Sequence, residues 1–173
     1  MSFKTTAVRL ALAGAAAAAL AACATKPPPP PPPPPPPAPA PAPAPTSQIV
    51  PGSVQDFVVN IGDRVYFDFD QYDIRSDAQP VLAAQAAWLV RFGSVQIRIE
   101  GNCDERGTRE YNLALGARRA NSVRDFLVAH GVNPSRISTI SYGKEMPIDP
   151  GTGEDAWQHN RNGHTVITGG AAG

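Results

Sequence analysis

The sequence predicts a mixed α/β domain, an α+β sandwich in which helices pack on one mixed sheet. Of the 20 prolines in the 173-residue chain, 15 lie between residues 27 and 45. Setting that tract and the segment before it aside leaves about 125 residues, the size of one domain with a single core. Runs with the period of a strand alternate with runs of helical period through these residues, which indicates the order βαβαβ(α)β.

The first segment has the pattern of a secretory signal. Lys4 and Arg9 precede an apolar run over residues 10–22, and this run is shorter than the roughly 18 residues needed to span a bilayer. An Ala-rich helix packed on the domain is the alternative, but an uninterrupted apolar stretch offers no amphipathic face for docking. We therefore assign residues 1–22 to a signal peptide.

The end of this segment, Leu20-Ala21-Ala22-Cys23, resembles the lipobox of bacterial lipoproteins. The resemblance implies that Cys23 carries the lipid, and Ala24 resembles the residue found in lipoproteins sorted to the outer membrane. Several acyl chains on one cysteine make a stable anchor. Cys103 is then the one remaining thiol of the chain, so we expect no intrachain disulfide.

Residues 23–45 read as a linker that follows the lipidated cysteine. Eleven consecutive prolines are followed by four Ala-Pro repeats, a composition that favours polyproline II over helix or sheet. Nineteen such residues span roughly 60 Å at about 3.1 Å each. We expect a semi-rigid spacer in front of a domain at residues 46–173. A ligand tract for SH3-like domains is the alternative.

The first strand and helix of the domain are predicted from alternation and capping. In residues 65–70 the apolar side chains of positions 65, 67 and 69 point one way, which is typical of a half-buried strand. Ser76 or Asp77 is the expected N-cap of the next helix, and Pro80 lies in its first turn. Apolar residues at three-to-four spacing continue to Gly93, where this helix is expected to end.

The remaining elements follow from the same periodicities. We predict a second strand over residues 95–100 and a long helix over 110–129. A third strand is expected over residues 137–142. A short helix over 156–162 then precedes a last strand over 164–168.

The densest cluster of polar groups lies in residues 102–112, at the crossing from the second strand to the long helix. Asn112, Leu115 and Arg119 share a helix face, and the loop brings Asp104 near the start of that helix. A carboxylate and a guanidinium beside one groove would suit a ligand that carries an ammonium and a carboxylate. An internal salt bridge between Asp104 and Arg119 is the alternative.

Three strings of the chain carry a family resemblance: GNCDERGTREYNLALGARRANSVRDFL, YFDFDQYDIRSDA at residues 66–78 and ISYGKEMP at 140–147. They resemble the OmpA-like peptidoglycan-binding domain family, in the form carried by lipoproteins of the Tol-Pal system. The resemblance implies noncovalent binding of the diaminopimelate residue of peptidoglycan stem peptides, with its ammonium at Asp104 and its carboxylate at Arg119. The groove would be lined or braced by Phe69, Asp70, Thr108, Asn112 and Leu115.

The same resemblance implies a role and partners. The protein would tether the outer membrane to peptidoglycan from the periplasmic side, with TolB and other Tol-Pal components as partners in envelope integrity and cell division. A general wall-tethering lipoprotein outside the Tol system is the alternative. Two positions depart from the family pattern: Cys103 stands where Ala or Thr is expected, and Asn162 stands where an arginine is expected.

An enzyme with a cysteine nucleophile and a histidine base is a competing class. Its candidates are Cys103 with His130, His159 or His164. The two acidic residues that follow Cys103 should raise the pKa of its thiol and weaken it as a nucleophile. We therefore expect a binding protein that has no enzymatic activity and needs no cofactor.

Metal and nucleic acid binding are also disfavoured. The close spacing of Asp68, Asp70 and Asp73 suggests a calcium loop, but Asp73 occupies the glycine position of an EF-hand and Gln79 the final glutamate position. All 15 acidic residues but only 12 of the 15 basic residues follow position 45. The domain therefore has no basic surplus for nucleic acid.

Overall fold

The computed structural model describes residues 49–173 and has the predicted mixed α/β class, with one helix added at the front. The elements in chain order are α1 (Val54–Asp56), a π-helical turn (Phe57–Ile61), β1 (Arg64–Tyr66), α2 (Gln79–Arg91), β2 (Gln96–Asn102), α3 (Arg109–Ala129), a 3₁₀ turn (Pro134–Arg136), β3 (Ile137–Gly143), α4 (Glu154–Asn160) and β4 (Asn162–Gly169). No helix among these residues is long and apolar enough to cross a bilayer. Cys23 and the Pro-rich linker lie outside the described residues.

The four strands form one mixed sheet in the order β1-β4-β2-β3. β2 is parallel to β3, with Ile99 opposite Thr139, and antiparallel to β4, with Ile99 opposite Thr165. The parallel pair requires a crossover, which α3 supplies. The carboxyl end of β2 therefore leads through one short loop into the first turn of α3.

The core lies between the sheet and the two long helices. α2 contributes Leu82 and Leu89, and α3 contributes Val123 and Leu127, all fully buried against the strands. Each such side chain stabilises the fold by roughly 1.5–3 kcal/mol relative to its exposed state. This packing fixes α3, and with it the residues that follow β2.

The first strand is shorter than predicted. It ends at Tyr66, and only Phe67 continues the expected inward direction, whereas Phe69 is 56% exposed. The backbone NH of Phe67 donates to the carbonyl of Arg161, and Asp70 then adopts a left-handed conformation with φ of 58°. Few non-glycine residues take this conformation outside turns. The strand predicted over residues 65–70 is therefore a short strand that ends at Tyr66 and is followed by a turn.

The predicted cap of α2 is also wrong. The N-cap position is Ala78, which makes no side-chain hydrogen bond, and Asp77 instead pairs with Arg75 at 2.8 Å. Pro80 lies in the first turn as expected, and the helix ends at Arg91, just before Gly93. Proline in the first turn fixes φ without losing a hydrogen bond, so α2 starts without a polar cap.

The front helix was missed by the sequence prediction. Ser53 caps α1 by accepting a hydrogen bond from the NH of Asp56, and the following turn buries Phe57 against Trp88 with ring centroids 4.9 Å apart. A segment this short shows barely two turns of periodicity. Its helical conformation depends on the contact with α2.

Candidate binding site

A pocket of about 160 Å³ lies between the loop after β2, the first turns of α3 and the segment that follows β1. It is lined by Phe69, Asp70, Cys103, Asp104, Arg106, Gly107, Tyr111, Asn112, Leu115 and Arg119. The structure thus brings together six of the seven side chains that the sequence nominated for the groove. The seventh, Thr108, stands behind the pocket as the N-cap of α3, where its side chain accepts a hydrogen bond from the NH of Tyr111.

Arg119 is fully buried and has no carboxylate partner. Its Nε, Nη1 and Nη2 donate to the backbone carbonyls of Gln71 (2.8 Å), Asn102 (2.8 Å) and Asp68 (3.0 Å). No acidic oxygen of residues 49–173 lies within 4.0 Å of its guanidinium. Burial lowers the pKa of Arg119. Three of its five N–H groups are used, so two can still donate to a ligand in the pocket.

Asp104 is buried and accepts four hydrogen bonds, none of them from Arg119. Oδ1 accepts from the backbone NH (3.1 Å) and the Nε (3.2 Å) of Arg106. Oδ2 accepts from Nη2 of Arg106 (2.5 Å) and Nη1 of Arg161 (3.2 Å). The internal salt bridge between Asp104 and Arg119 is therefore not formed. Burial acts to raise the pKa of Asp104, but the bonds from Arg106 and Arg161 outweigh it and hold that pKa below its usual value.

Two arginines of the site were missed by the sequence analysis. Arg161 is fully buried at the end of α4 and also bonds to Glu154 at 2.6 Å. Arg106 lies between the rings of Phe69 and Trp157, with its Cζ 4.0 and 4.1 Å from their centroids. Arg106 follows Asp104 by two residues, and this short spacing could have indicated that the two side chains pair. Nothing local connects Arg161 to the loop.

The remaining nominated residues hold the loop and the rim in place. Nδ2 of Asn112 donates to the carbonyls of Arg106 (2.7 Å) and Thr108 (3.0 Å), which ties the loop to α3. Leu115 is buried and gives the pocket an apolar wall. Asp70 accepts a hydrogen bond from the hydroxyl of Tyr111 at the exposed mouth.

Cys103 is buried in the wall of the pocket. Its Sγ donates to the carbonyl of Asn112 at 3.4 Å, and burial raises the pKa of the thiol to about 11, with a smaller contribution from Asp104. The direction agrees with the sequence analysis, but burial and not the acidic neighbours is the chief cause. None of the three histidines lines the pocket. A protonated thiol without an adjacent base is a poor nucleophile.

Other polar residues of the sequence analysis have structural partners. Asn162 is fully buried, and its Oδ1 accepts from Arg64 (2.8 Å) and Asn102 (3.0 Å), outside the pocket. Lys144 donates from Nζ to the carbonyls of Glu105 (3.0 Å) and Gly107 (2.7 Å) and so braces the loop. Within residues 49–173 no three His, Cys, Asp or Glu side chains gather as a metal cluster.

The pocket thus places a buried guanidinium that has no carboxylate partner in residues 49–173 beside a carboxylate shielded by two arginines. The sequence profile of the OmpA family matches residues 66–161. The chain belongs to the OmpA family, which confirms the resemblance drawn from the motifs.

Relatives and solved structures agree with this assignment. A peptidoglycan-associated lipoprotein of Mesorhizobium japonicum is 57% identical over 119 residues, which are 69% of this chain and 71% of the relative. The same-named protein of Brucella melitensis is 55% identical with the same coverage. The crystal structure of the peptidoglycan-associated lipoprotein from Burkholderia pseudomallei is 42% identical, with a TM-score of 0.60 over 61% of this chain and 90% of that one. The C-terminal domain of Helicobacter pylori MotB is 26% identical, with a TM-score of 0.58 over 62% and 86%.

Proposed function

We propose that this protein is an outer-membrane lipoprotein that binds peptidoglycan noncovalently through diaminopimelate and so tethers the membrane to the cell wall. The observation that carries the proposal is Arg119. A guanidinium that is buried without a carboxylate bonded to it has lost hydration that three carbonyls replace only in part. A ligand carboxylate placed on its two free N–H groups supplies the missing negative charge.

Diaminopimelate fits this requirement better than lysine does. Its free end carries a carboxylate beside the ammonium, whereas a lysine side chain ends in the ammonium alone. The carboxylate reaches Arg119 at its buried position, where a charge-assisted hydrogen bond is stronger than in water. Asp104 and Asp70 line the same pocket, and their carboxylates are the candidate partners of the ligand ammonium. The pocket therefore distinguishes the two peptidoglycan types by one carboxylate.

Calorimetric titration of the full-length protein in detergent tests this proposal. We expect a diaminopimelate-containing stem peptide to bind, and a matched lysine-containing peptide to bind weakly or not at all. Arg119→Lys keeps the charge but loses the planar donor pair, and truncating a desolvated charge pair in this way costs about 2–5 kcal/mol of binding. Thermal unfolding of the variant reports any loss of the three carbonyl contacts separately.

Arg124→Gln is the matched control, because Arg124 lies on α3 outside the pocket and pairs only with Asp125 in the described part of the chain. Its affinity should equal that of the unchanged protein. If neither peptide binds the unchanged protein, recognition of the wall through this pocket is wrong. The protein would then work through protein partners.

The envelope role rests on the relatives' names and on the sequence motifs. The relatives are named peptidoglycan-associated lipoproteins, and the lipobox at Cys23 agrees with a lipid anchor and a periplasmic domain. TolB and other Tol-Pal components are the partners that the motif resemblance favours. Purified TolB should bind the protein directly, and its failure to bind would favour the alternative, a wall tether outside the Tol system.

A further inference from the structure

The carboxylate of Asp104 has no free acceptor site in the ligand-free protein. A carboxylate offers about four lone-pair directions, and all four are occupied: three by Arg106, through its backbone NH, Nε and Nη2, and one by Nη1 of Arg161. A ligand ammonium can reach this carboxylate only if one of these donors leaves.

The two guanidiniums differ in their freedom to leave. The side chain of Arg161 is 3% exposed and is held further by the carbonyl of Phe67 and by Gln158. The side chain of Arg106 is 30% exposed, and its only other ion partner in the described residues is Glu154, at 3.9 Å and on the solvent side. Moving Arg106 outward exposes no core and leads to a second carboxylate.

We propose that Arg106 is a displaceable latch on Asp104, which closes the ammonium subsite until a ligand ammonium takes its place. The inference rests on the proposed function for the identity of the ligand, a diaminopimelate residue. In the bound state the ammonium replaces the two side-chain donors of Arg106, while the backbone NH and Arg161 remain on the carboxylate.

The rings of Phe69 and Trp157 contact the guanidinium of Arg106 and can stay in contact with it as it moves. Both contact the guanidinium at about the same distance, 4.0 and 4.1 Å from the ring centroids, and a cation is attracted to an aromatic face while it stays within about 6 Å of the centroid. Trp157 is itself fixed by a hydrogen bond from Nε1 to Glu105 at 2.9 Å. The guanidinium can thus move from Asp104 toward Glu154 without losing both rings at once.

The latch reduces how much the ligand ammonium adds to the affinity. A ligand with a carboxylate but no ammonium can meet Arg119, yet it leaves Arg106 on Asp104 and gains nothing there. A ligand with both groups exchanges one cation for another at Asp104 at little net cost. Arg106 then weakens the binding of an ammonium-bearing ligand by competing with it for Asp104, whereas a ligand without the ammonium meets no such competition.

Titrations with two ligands separate this role from direct ligand contact. We use the full-length protein in detergent, a diaminopimelate tripeptide, and the same tripeptide with 2-aminopimelate, which lacks the free-end ammonium. Removing the competitor in Arg106→Gln should tighten the diaminopimelate peptide about threefold or more, the scale of a partly exposed ion pair. The 2-aminopimelate peptide should gain nothing. Trp157→Leu, which loosens the latch, should tighten the diaminopimelate peptide by a smaller factor and leave the affinity for the 2-aminopimelate peptide unchanged.

The NMR signals of the two tryptophan indole NH groups give a second measurement. The two tryptophans are Trp157, bonded to Glu105, and Trp88, bonded to Asp56 in the core. Saturating the unchanged protein with the diaminopimelate peptide should shift the Trp157 signal and leave that of Trp88 in place. Arg106→Gln should show the shifted Trp157 signal before ligand is added.

Each outcome decides between the two proposals. If the unchanged protein binds and Arg106→Gln binds the diaminopimelate peptide with equal or weaker affinity, Arg106 does not compete with the ligand and the latch is overturned, while the proposed function stands. If neither protein binds, both are overturned. Binding by Arg106→Gln alone would support both. Arg124→Gln should behave as the unchanged protein in every arm.

Discussion

Asp104 and Arg161 form a pair in which both side chains are almost completely buried, at 5% and 3% exposure. Removing one member of such a pair leaves the other as an uncompensated charge. Asp104 thus has a structural role beside its proposed role in binding. A change at this position alters both the stability of the fold and the affinity of the site.

Asp104→Asn should therefore destabilise the protein by about 3–5 kcal/mol at neutral pH. Because the folded pKa of Asp104 lies below its usual value near 3.8, the carboxylate stabilises the fold fully above that value. The contribution is lost as the pH falls through the lower, folded pKa. Urea unfolding from pH 7 down to pH 2 measures the gap between the two proteins.

Asp77→Asn is the matched control for this change. Asp77 pairs with Arg75 at 2.8 Å, but its side chain is 65% exposed, and exposed pairs contribute about 0–1 kcal/mol. A destabilisation of the same size in both variants would contradict the buried-pair account. A difference in unfolding free energy between Asp104→Asn and the unchanged protein that does not shrink in acid would also contradict it.

At this scale the sequence could find residues but not their pairing. Asp104 and Arg119 were nominated from one loop and one helix face, and both lie on the pocket. Arg161 is 57 residues from Asp104 along the chain, and no local periodicity reports such a contact. The charge of Arg161 on Asp104, unlike that of the nearby Arg106, was therefore visible only in the fold.

At the scale of elements, β2 and α3 approach each other through two glycines. A Cβ at Gly101 would lie 1.8 Å from the carbonyl oxygen of Gly116, and one at Gly116 would lie 2.3 Å from Oγ of Ser141. The backbones are in direct contact here, since no side chain separates them. This contact sets α3 at the height where Arg119 reaches the carbonyl of Asn102.

Gly101→Ala should push α3 away from β2, because the carbonyl it meets belongs to rigid helix backbone. We expect a loss of about 1–3 kcal/mol or more of unfolding free energy, the scale of overpacking, together with weaker ligand binding. Gly93→Ala is the control, since a Cβ there meets nothing within 4 Å. Chemical unfolding of both variants checks this, and equal stabilities would contradict a close approach at Gly101.

The elements that the sequence predicted well are the ones with long, regular patterns. The predictions for β2 and α3 were correct to within two residues, since several turns or alternations repeat in each. The predicted end of β1 was wrong, and α1 was not predicted. In both cases one tertiary contact, Phe67 with the backbone of Arg161 and Phe57 with Trp88, decides the conformation.

At the scale of the whole molecule, we propose that the lipid anchor and the binding pocket act independently. The pocket lies within residues 69–119, and the proposed anchor at Cys23 precedes the Pro-rich linker. A tether needs both the lipid anchor and the pocket, but each can bind its own target without the other. This separation allows each to be removed alone.

Cys23→Ser should release the protein from membranes and leave its affinity for the diaminopimelate peptide unchanged, because the lipid supplies the membrane affinity. Fractionation of cells, followed by titration of the released protein, measures both. The control is Cys103→Ala, which removes the other thiol and should stay membrane-bound. A Cys23→Ser protein that remained in the membrane fraction would refute the anchor.

The sequence alone determined the class of fold, the order of strands and long helices along the chain, the family, and the loop and helix that line the pocket, since these follow from local periodicities and contiguous motifs. The tertiary structure decided which charges meet. It left Arg119 without a counter-ion and surrounded Asp104 with two arginines. The physical reason is that burial and pairing of charges depend on residues far apart in the chain, which only the packing of the sheet and its helices brings together.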